Sequence, residues 1–113
     1  MMKFSSKETQ GVTVIALTGN VLGGPDANVL NDQLRNLLGS NKKKVVIDLG
    51  AVQFINSSGL GMLIGGMTTM RNGGGELKLA RASKKIHTLL EMTKLSSVFD
   101  VHESVKDAVG AFK

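Results

Sequence analysis

The sequence predicts an α/β fold, in which a mainly parallel mixed sheet begins with an N-terminal β-hairpin and is connected by crossover helices. The first observation is that strand-like and helix-like stretches alternate along the chain. Strands separated by helices imply right-handed crossovers and parallel pairing. The second is size: 113 residues, 42% of them hydrophobic, are enough for a single domain over residues 1–113 with its own core.

The hairpin is predicted from the first two runs. Residues 12–17, VTVIAL, are β-branched and apolar on both faces, as in a buried strand. The weaker run over residues 4–10 suits an edge strand. Gln10-Gly11 would form the turn, since glycine tolerates a positive φ.

A helix is predicted to follow, with Pro25 in its first turn and Gly39 at its end. Its apolar residues recur at helical spacing, at Ala27, Leu30, Leu34, Leu37 and Leu38. Residues 44–49, KVVIDL, are predicted as the next buried strand.

The second half of the chain continues with helix, strand, helix, strand and helix, at residues 57–71, 76–80, 83–92, 98–101 and 104–112. Ser83 and Ser104 precede their helices as N-caps. The strand ELKLA alternates in polarity, so we expect Lys78 on a face that is open to water.

Composition excludes several classes of function. The net charge is +5, but the basic residues are scattered apart from Lys42–Lys44, and four Phe with no Trp or Tyr supply no base-stacking platform. Nucleic-acid binding is therefore not expected. The chain has no cysteine, no signal-peptide pattern and no segment of about 20 apolar residues. We expect a cytoplasmic protein that does not bind a membrane.

The stretch QFINSSGLGMLIGG, residues 53–66, carries the strongest functional signal. No lysine lies beside Ser57 or Ser58, which excludes a Walker A loop, and the G-x-S-x-G nucleophile pattern is absent. His87 and His102 have no acidic partner at a catalytic spacing. We therefore expect no catalytic residue, metal or cofactor, and no enzymatic activity.

Asn56 is predicted to cap the helix that contains this stretch. Gly61, Gly65 and Gly66 lie inside the helix, and each costs about 1 kcal/mol relative to alanine. Either the helix backbone packs very closely against the sheet, or its bare face is a docking surface. Met62 is predicted to point outward, either as an adaptable contact for a partner or as an exposed side chain without a role.

A serine at a helix start is fixed in position and open to solvent, so it suits modification by another enzyme. Phosphorylation adds a charge of about −2. Because the helix N-terminus favours an anion, the modified helix should survive. The phosphate would then act by blocking a binding face rather than by unfolding the protein.

Three segments together resemble the bacterial anti-sigma factor antagonists, which are stand-alone STAS domains. They are VVIDLGAVQFINSSGLGMLI (45–64), VTVIALTGNV (12–21) and LLEMTKLSSVFDVHESVKDAV (89–109). The resemblance covers nearly the whole chain in the expected order. Its most specific part is the Asp/Asn-Ser-Ser-Gly-Leu-Gly pattern after a strand.

The resemblance implies binding to an anti-sigma factor, a GHKL-type serine kinase, which frees a sigma factor. The kinase would phosphorylate Ser57, and a PP2C-like phosphatase would restore binding. The implied partner-binding residues are Gly23, Gly24, Asp26, Asn56, Ser57, Ser58, Gly59, Leu60, Gly61 and Met62. The chain departs from the family at Asn56, where Asp is common, and in the loop NVLGGPDAN, where Asp26 would replace the usual acid.

Two other functions fit the same sequence. A STAS subunit that never meets a kinase would act as a scaffold in a larger signalling or transport complex. A small enzyme or nucleotide-binding domain would use the glycine-rich turns. Incubation with a cognate kinase separates the first from the antagonist, because a scaffold gives no phosphoserine.

Overall fold

The computed structural model describes residues 2–112, and it confirms the predicted α/β class. The elements are β1 (Lys3–Thr9), β2 (Val12–Val21), α1 (Pro25–Gly39), β3 (Lys44–Ile55), α2 (Ser57–Asn72), β4 (Glu76–Ala80), α3 (Lys84–Met92), β5 (Val101–His102) and α4 (Val105–Gly110). The domain predicted over residues 1–113 includes Met1 and Lys113, which lie outside the described residues.

The five strands form one sheet in the order β1-β2-β3-β4-β5. β1 and β2 are antiparallel, and the later neighbours are parallel. The hairpin turn lies at Gln10 and Gly11, whose φ angles are 52° and 79°. Two residues with positive φ match the right-handed twist of the strands, so the predicted hairpin is confirmed.

The sheet has a hydrophobic core on each face. The larger core joins the inner side chains of the sheet to α1, α2 and α3, through residues such as Leu30, Leu63 and Ile86. The smaller core packs α4 against the opposite face, with Ala108 and Val109 on Val12, Val14 and Val46. Because successive strands are neighbours, the right-handed crossovers place their three helices on one side.

β2 and β3 are longer than the sequence predicted. Residues 18–21 of β2 pair with residues 51–55 of β3, although TGNV is not an apolar run. Pairing with β3 therefore overrides a weak local preference. β4 ends at Ala80, opposite Asp48, so β3 continues seven residues beyond its neighbour.

β5 is shorter than predicted and lies at Val101–His102 rather than at residues 98–101. Val98 and Phe99 form a turn, in which both N–H groups donate to the Leu95 carbonyl. Phe99 is nevertheless buried in the larger core. A short apolar run in the sequence is compatible with a buried turn as well as with a buried strand, which is why the bounds predicted for β5 were wrong.

The prediction of a water-facing side on β4 is wrong at Lys78, which is only 5% exposed. Its ammonium donates to Glu76 at 2.9 Å and to Asp100 at 2.5 Å, and it lies 4.9 Å from the centre of the Phe112 ring. Burial would lower the pKa of Lys78, but the hydrogen bonds to both carboxylates outweigh burial and raise it. The alternation of polar and apolar residues in β4 therefore predicted an exposed Lys78, whereas its charge is buried, paired with two carboxylates and adjacent to Phe112.

Candidate functional site

The start of α2 has the predicted cap. Asn56 is extended, with φ −97° and ψ −177°, and its side-chain oxygen accepts from the Gly59 N–H at 2.7 Å. Ser57 and Ser58 follow in the first turn, where both are exposed. No acidic residue occupies that turn, so its positive end is not neutralised locally.

The loop after β2 lies directly against this turn. A Cβ on Gly23 would lie 2.8 Å from the Ser58 carbonyl oxygen, and a Cβ on Gly59 would lie 1.9 Å from the Val21 carbonyl oxygen. The Asn56 N–H also donates to the Val21 carbonyl, at 3.3 Å. Only glycine permits this approach, which we call the glycine contact. It holds the two loops together at the carboxyl edge of the sheet.

The first turn of α1 lies at the same edge, because α1 follows β2 as α2 follows β3. Gly24 is its N-cap, with φ 63° and no side-chain cap, and Pro25 begins the helix. Asp26 is half-buried in that turn. The structure therefore places Gly23 against the start of α2, and Gly24 and Asp26 follow it in the same loop and in the first turn of α1.

Two of the predicted contact side chains are buried. Met62 is only 5% exposed and belongs to the larger core, so its predicted outward direction is wrong. Leu60 is buried in the same core. α2 packs against α1 as well as against the sheet. It is therefore buried on two sides rather than along a single stripe.

The helix glycines divide between the two explanations that the sequence left open. A Cβ on Gly66 would lie 3.0 Å from Leu34 Cδ1, so this glycine serves close packing between α1 and α2. A Cβ on Gly61 or Gly65 would meet nothing within 4 Å, and both residues are exposed. We call the strip formed by Gly61 and Gly65 the bare face of α2.

The bare face forms one wall of a groove between α1 and α2, with a volume of about 530 Å³. α1 contributes Asn28 and Asn31, and the Asn31 side chain accepts from the Thr69 hydroxyl at 2.5 Å. Ser58 lines the same groove. Ser57 lies four residues before Gly61, so it shares one side of α2 with the bare face.

Sequence reasoning missed the apolar residues around this edge. Leu22, Val29 and Phe54 are 47%, 51% and 53% exposed, and they lie on the loop after β2, on α1 and at the end of β3. The available signal was Phe54 itself, an aromatic residue three positions before Ser57.

A second polar cluster lies away from this edge. Arg81 donates two hydrogen bonds to the Asp48 carboxylate, at 2.8 and 2.9 Å. Burial would raise the pKa of Asp48, but the hydrogen bonds from Arg81 and the Gly50 N–H outweigh burial and lower it. Arg81 has a φ of 57° and its guanidinium fills the space above Gly50, so the pair fixes the chain where it leaves β4.

Within residues 2–112, no group of three or more acidic, histidine or cysteine side chains is arranged to hold a metal ion. No helix in that range is long and apolar enough to cross a membrane.

Comparisons with known proteins assign this arrangement to a family. BtrV of Bordetella bronchiseptica, assigned as an anti-sigma factor antagonist, is 29% identical over 112 residues, covering 99% of this chain and 96% of the relative. The crystal structure of an anti-sigma factor antagonist from Mycobacterium paratuberculosis superposes with a TM-score of 0.81 at 22% identity, over 98% of this chain and 93% of that one.

A second solved structure, the Bacillus cell fate determinant SpoIIAA in its phosphorylated form, gives a TM-score of 0.73 at 16% identity. It covers 98% of this chain and 100% of SpoIIAA. At these identities the structural likenesses show the fold. The family model described as the STAS domain matches residues 3–108. The chain therefore belongs to the STAS domain family.

Proposed function

We propose that this protein is an anti-sigma factor antagonist, which binds an anti-sigma factor of the GHKL serine-kinase type and so releases a sigma factor. The observation that carries the proposal is the exposed Ser57, directly after the capping residue Asn56 and beside the bare face of α2. BtrV, which aligns over nearly the full length of both chains, supports the same role. Action in the cytoplasm is part of this proposal.

Ser57 is the proposed phosphoacceptor, and a PP2C-like phosphatase restores the unmodified form. The phosphate would add a charge of about −2 at the positive end of α2, where an anion is favoured. Ser57 is exposed, so modification buries no new charge. The fold should therefore persist while the bulky anion blocks the adjacent surface. The solved phosphorylated form of SpoIIAA supports such a modification in this fold.

The proposed contact surface combines polar, bare and apolar parts. Its polar part is the loop Gly23–Asp26 with the first turn of α2, and its bare part is Gly61 with Gly65. The exposed Leu22 and Val29, on the loop after β2 and on α1, supply its apolar part. Gly59 and Leu60 support this surface from inside, because they are buried, whereas Met62 is buried but also lines the groove between α1 and α2.

Phosphorylation by the purified cognate kinase and ATP tests the assignment. We expect phosphopeptide mass spectrometry to find phosphate on Ser57 in the wild type and in Ser58→Ala, and to find none in Ser57→Ala. Labelling of Ser57→Ala at the wild-type rate would refute the assignment. A kinase that binds the protein but never modifies it would favour the scaffold function instead.

Titration calorimetry tests the contact surface. Gly61→Glu places a charge in open space on the bare face, so it should weaken kinase binding more than tenfold, or about 1.4 kcal/mol, without unfolding the protein. Lys106→Glu is the matched control, because Lys106 is exposed on α4, across the sheet from α2. Normal binding by Gly61→Glu would exclude the bare face from the interface.

A further inference from the structure

A second surface lies where β3 extends beyond β4. No strand among residues 2–112 pairs with residues 49–55 on the side that faces α3. The Gly50 N–H donates to Asp48 and Arg81 lies over Gly50, so the free strand edge is residues 51–55, next to an apolar groove of about 200 Å³. Buried Ile55 and Ile86 line the groove together with Phe54, which is half-exposed, and Leu89, which is partly buried.

The groove is too small for a cofactor, since ligand pockets usually measure about 300–1,000 Å³. One large aliphatic or aromatic side chain suits a space of this size. A free strand edge recognises extended peptides, because it offers main-chain hydrogen bonds beside pockets for alternate side chains. The shape therefore favours a peptide in an extended conformation.

The charges beside the groove indicate that such a peptide would be acidic. Lys84 and Lys85 occupy the first turn of α3, which holds no acidic residue, and both are exposed. Neither forms an ion pair within the part of the chain that the structure describes. Two cations at the positive end of a helix are unfavourable, so an acidic ligand would remove a local repulsion.

We propose that this groove binds an extended acidic segment of the partner protein. One apolar side chain of the segment enters between Phe54 and Leu89, its backbone pairs with the β3 edge, and its carboxylates meet Lys84 and Lys85. In taking the partner to be the anti-sigma factor, the inference rests on the proposed function. It adds a docking element that Ser57 phosphorylation does not require.

Amide chemical-shift titration of the full chain with synthetic peptides tests this inference. The probe is acetyl-Glu-Asp-Val-Leu-Val-Glu-Asp-amide. Its controls replace the four acidic residues by lysine, or the central leucine by serine. We expect shifts at residues 53–55 and 84–89. The lysine control should bind about fivefold or more weakly, since each of two exposed ion pairs contributes up to about that factor. The serine control should also bind more weakly, because it loses the apolar side chain that enters the groove.

Two variants of the protein test whether the peptide binds at Lys85 rather than elsewhere on the surface. Lys85→Glu should weaken the acidic probe about fivefold and favour the lysine control, whereas Lys106→Glu on α4 should change neither. Equal binding of the acidic and lysine peptides, or no shift at these residues with millimolar probe, would overturn the proposal. So would self-association through the same residues in the absence of peptide.

The outcome is independent of the proposed switch. Ser57 phosphorylation is measured with kinase and ATP in the absence of any peptide, so a failed titration removes the groove and leaves the switch intact. If instead the kinase ignores Ser57 while the acidic probe binds, the groove stands and the proposed function fails.

Discussion

Alanine at Gly65 and alanine at Gly59 distinguish two roles of a helix glycine, which are to leave a surface bare for a partner and to allow close packing. A Cβ at Gly65 would meet no atom within 4 Å, whereas a Cβ at Gly59 would lie 1.9 Å from the Val21 carbonyl oxygen. Both residues lie in α2, so both changes bring the same gain in helix propensity. Only the surroundings of the new methyl group differ.

The expected magnitudes follow from these distances. Gly65→Ala should stabilise the free protein by about 1 kcal/mol, which raises the Tm of a domain of this size by about 4 °C. Gly59→Ala must displace backbone, because the atom it meets is a carbonyl oxygen that also accepts from the Asn56 N–H. We expect it to destabilise the protein by about 3 kcal/mol or more.

Circular dichroism melts measure the stability effect, and calorimetry with the anti-sigma factor measures binding. If the bare face is the interface, Gly65→Ala should bind more weakly although it folds more stably. A lower Tm for Gly65→Ala would refute the claim that this position is free of contacts. Unchanged binding would show that α2 keeps Gly65 for a reason other than this partner.

The remaining predictions concern charge and capping. The lowered pKa of Asp48 implies a stabilisation that is present above the unfolded pKa and is lost as pH falls through the folded pKa. The stability gap between wild type and Arg81→Gln, measured by urea unfolding, should be widest at pH 7, begin to narrow below about pH 4 and close as pH falls through the folded pKa of Asp48. Equal gaps at pH 7 and pH 3 would contradict this. Lys78→Glu should lower stability by about 2 kcal/mol, because it buries a carboxylate beside Asp100; an unchanged melt would refute the pairing. Asn56→Ala should cost about 1 kcal/mol, whereas Asn56→Asp should retain the cap, and equal melts for the two would argue against it.

The spacing of apolar residues predicted the helices and the strands, because a long segment with helical spacing cannot bury the same residues as a strand. α1, α2 and α3 lie within about two residues of their predicted bounds, and the caps at Ser83 and Ser104 accept the N–H bonds expected of them. The predicted strand bounds were wrong where pairing with another strand, rather than the local sequence, determines the length of a strand. β3 extends to Ile55 because β2 accompanies it, and no local pattern in residues 50–55 specifies that.

The site was predicted in position but not in its side-chain directions. Parallel neighbouring strands bring the loops that leave them to the same edge of the sheet, and the structure shows Gly23 against Ser58 there. The outward direction predicted for Met62 is wrong because α2 packs on both the sheet and α1. The role of Ser57 as phosphoacceptor stays a prediction.

The order of the strands has a consequence for synthesis of the chain. Each strand pairs with the one made just before it, so the sheet can grow at one edge as the polypeptide leaves the ribosome. α4 follows all five strands in the chain, yet it covers valines of β2 and β3, which precede it by more than half of the described residues. Until α4 arrives, that face meets water. We expect chains that stop before Ser104 to retain the hairpin and the crossovers but to aggregate through this uncovered valine surface.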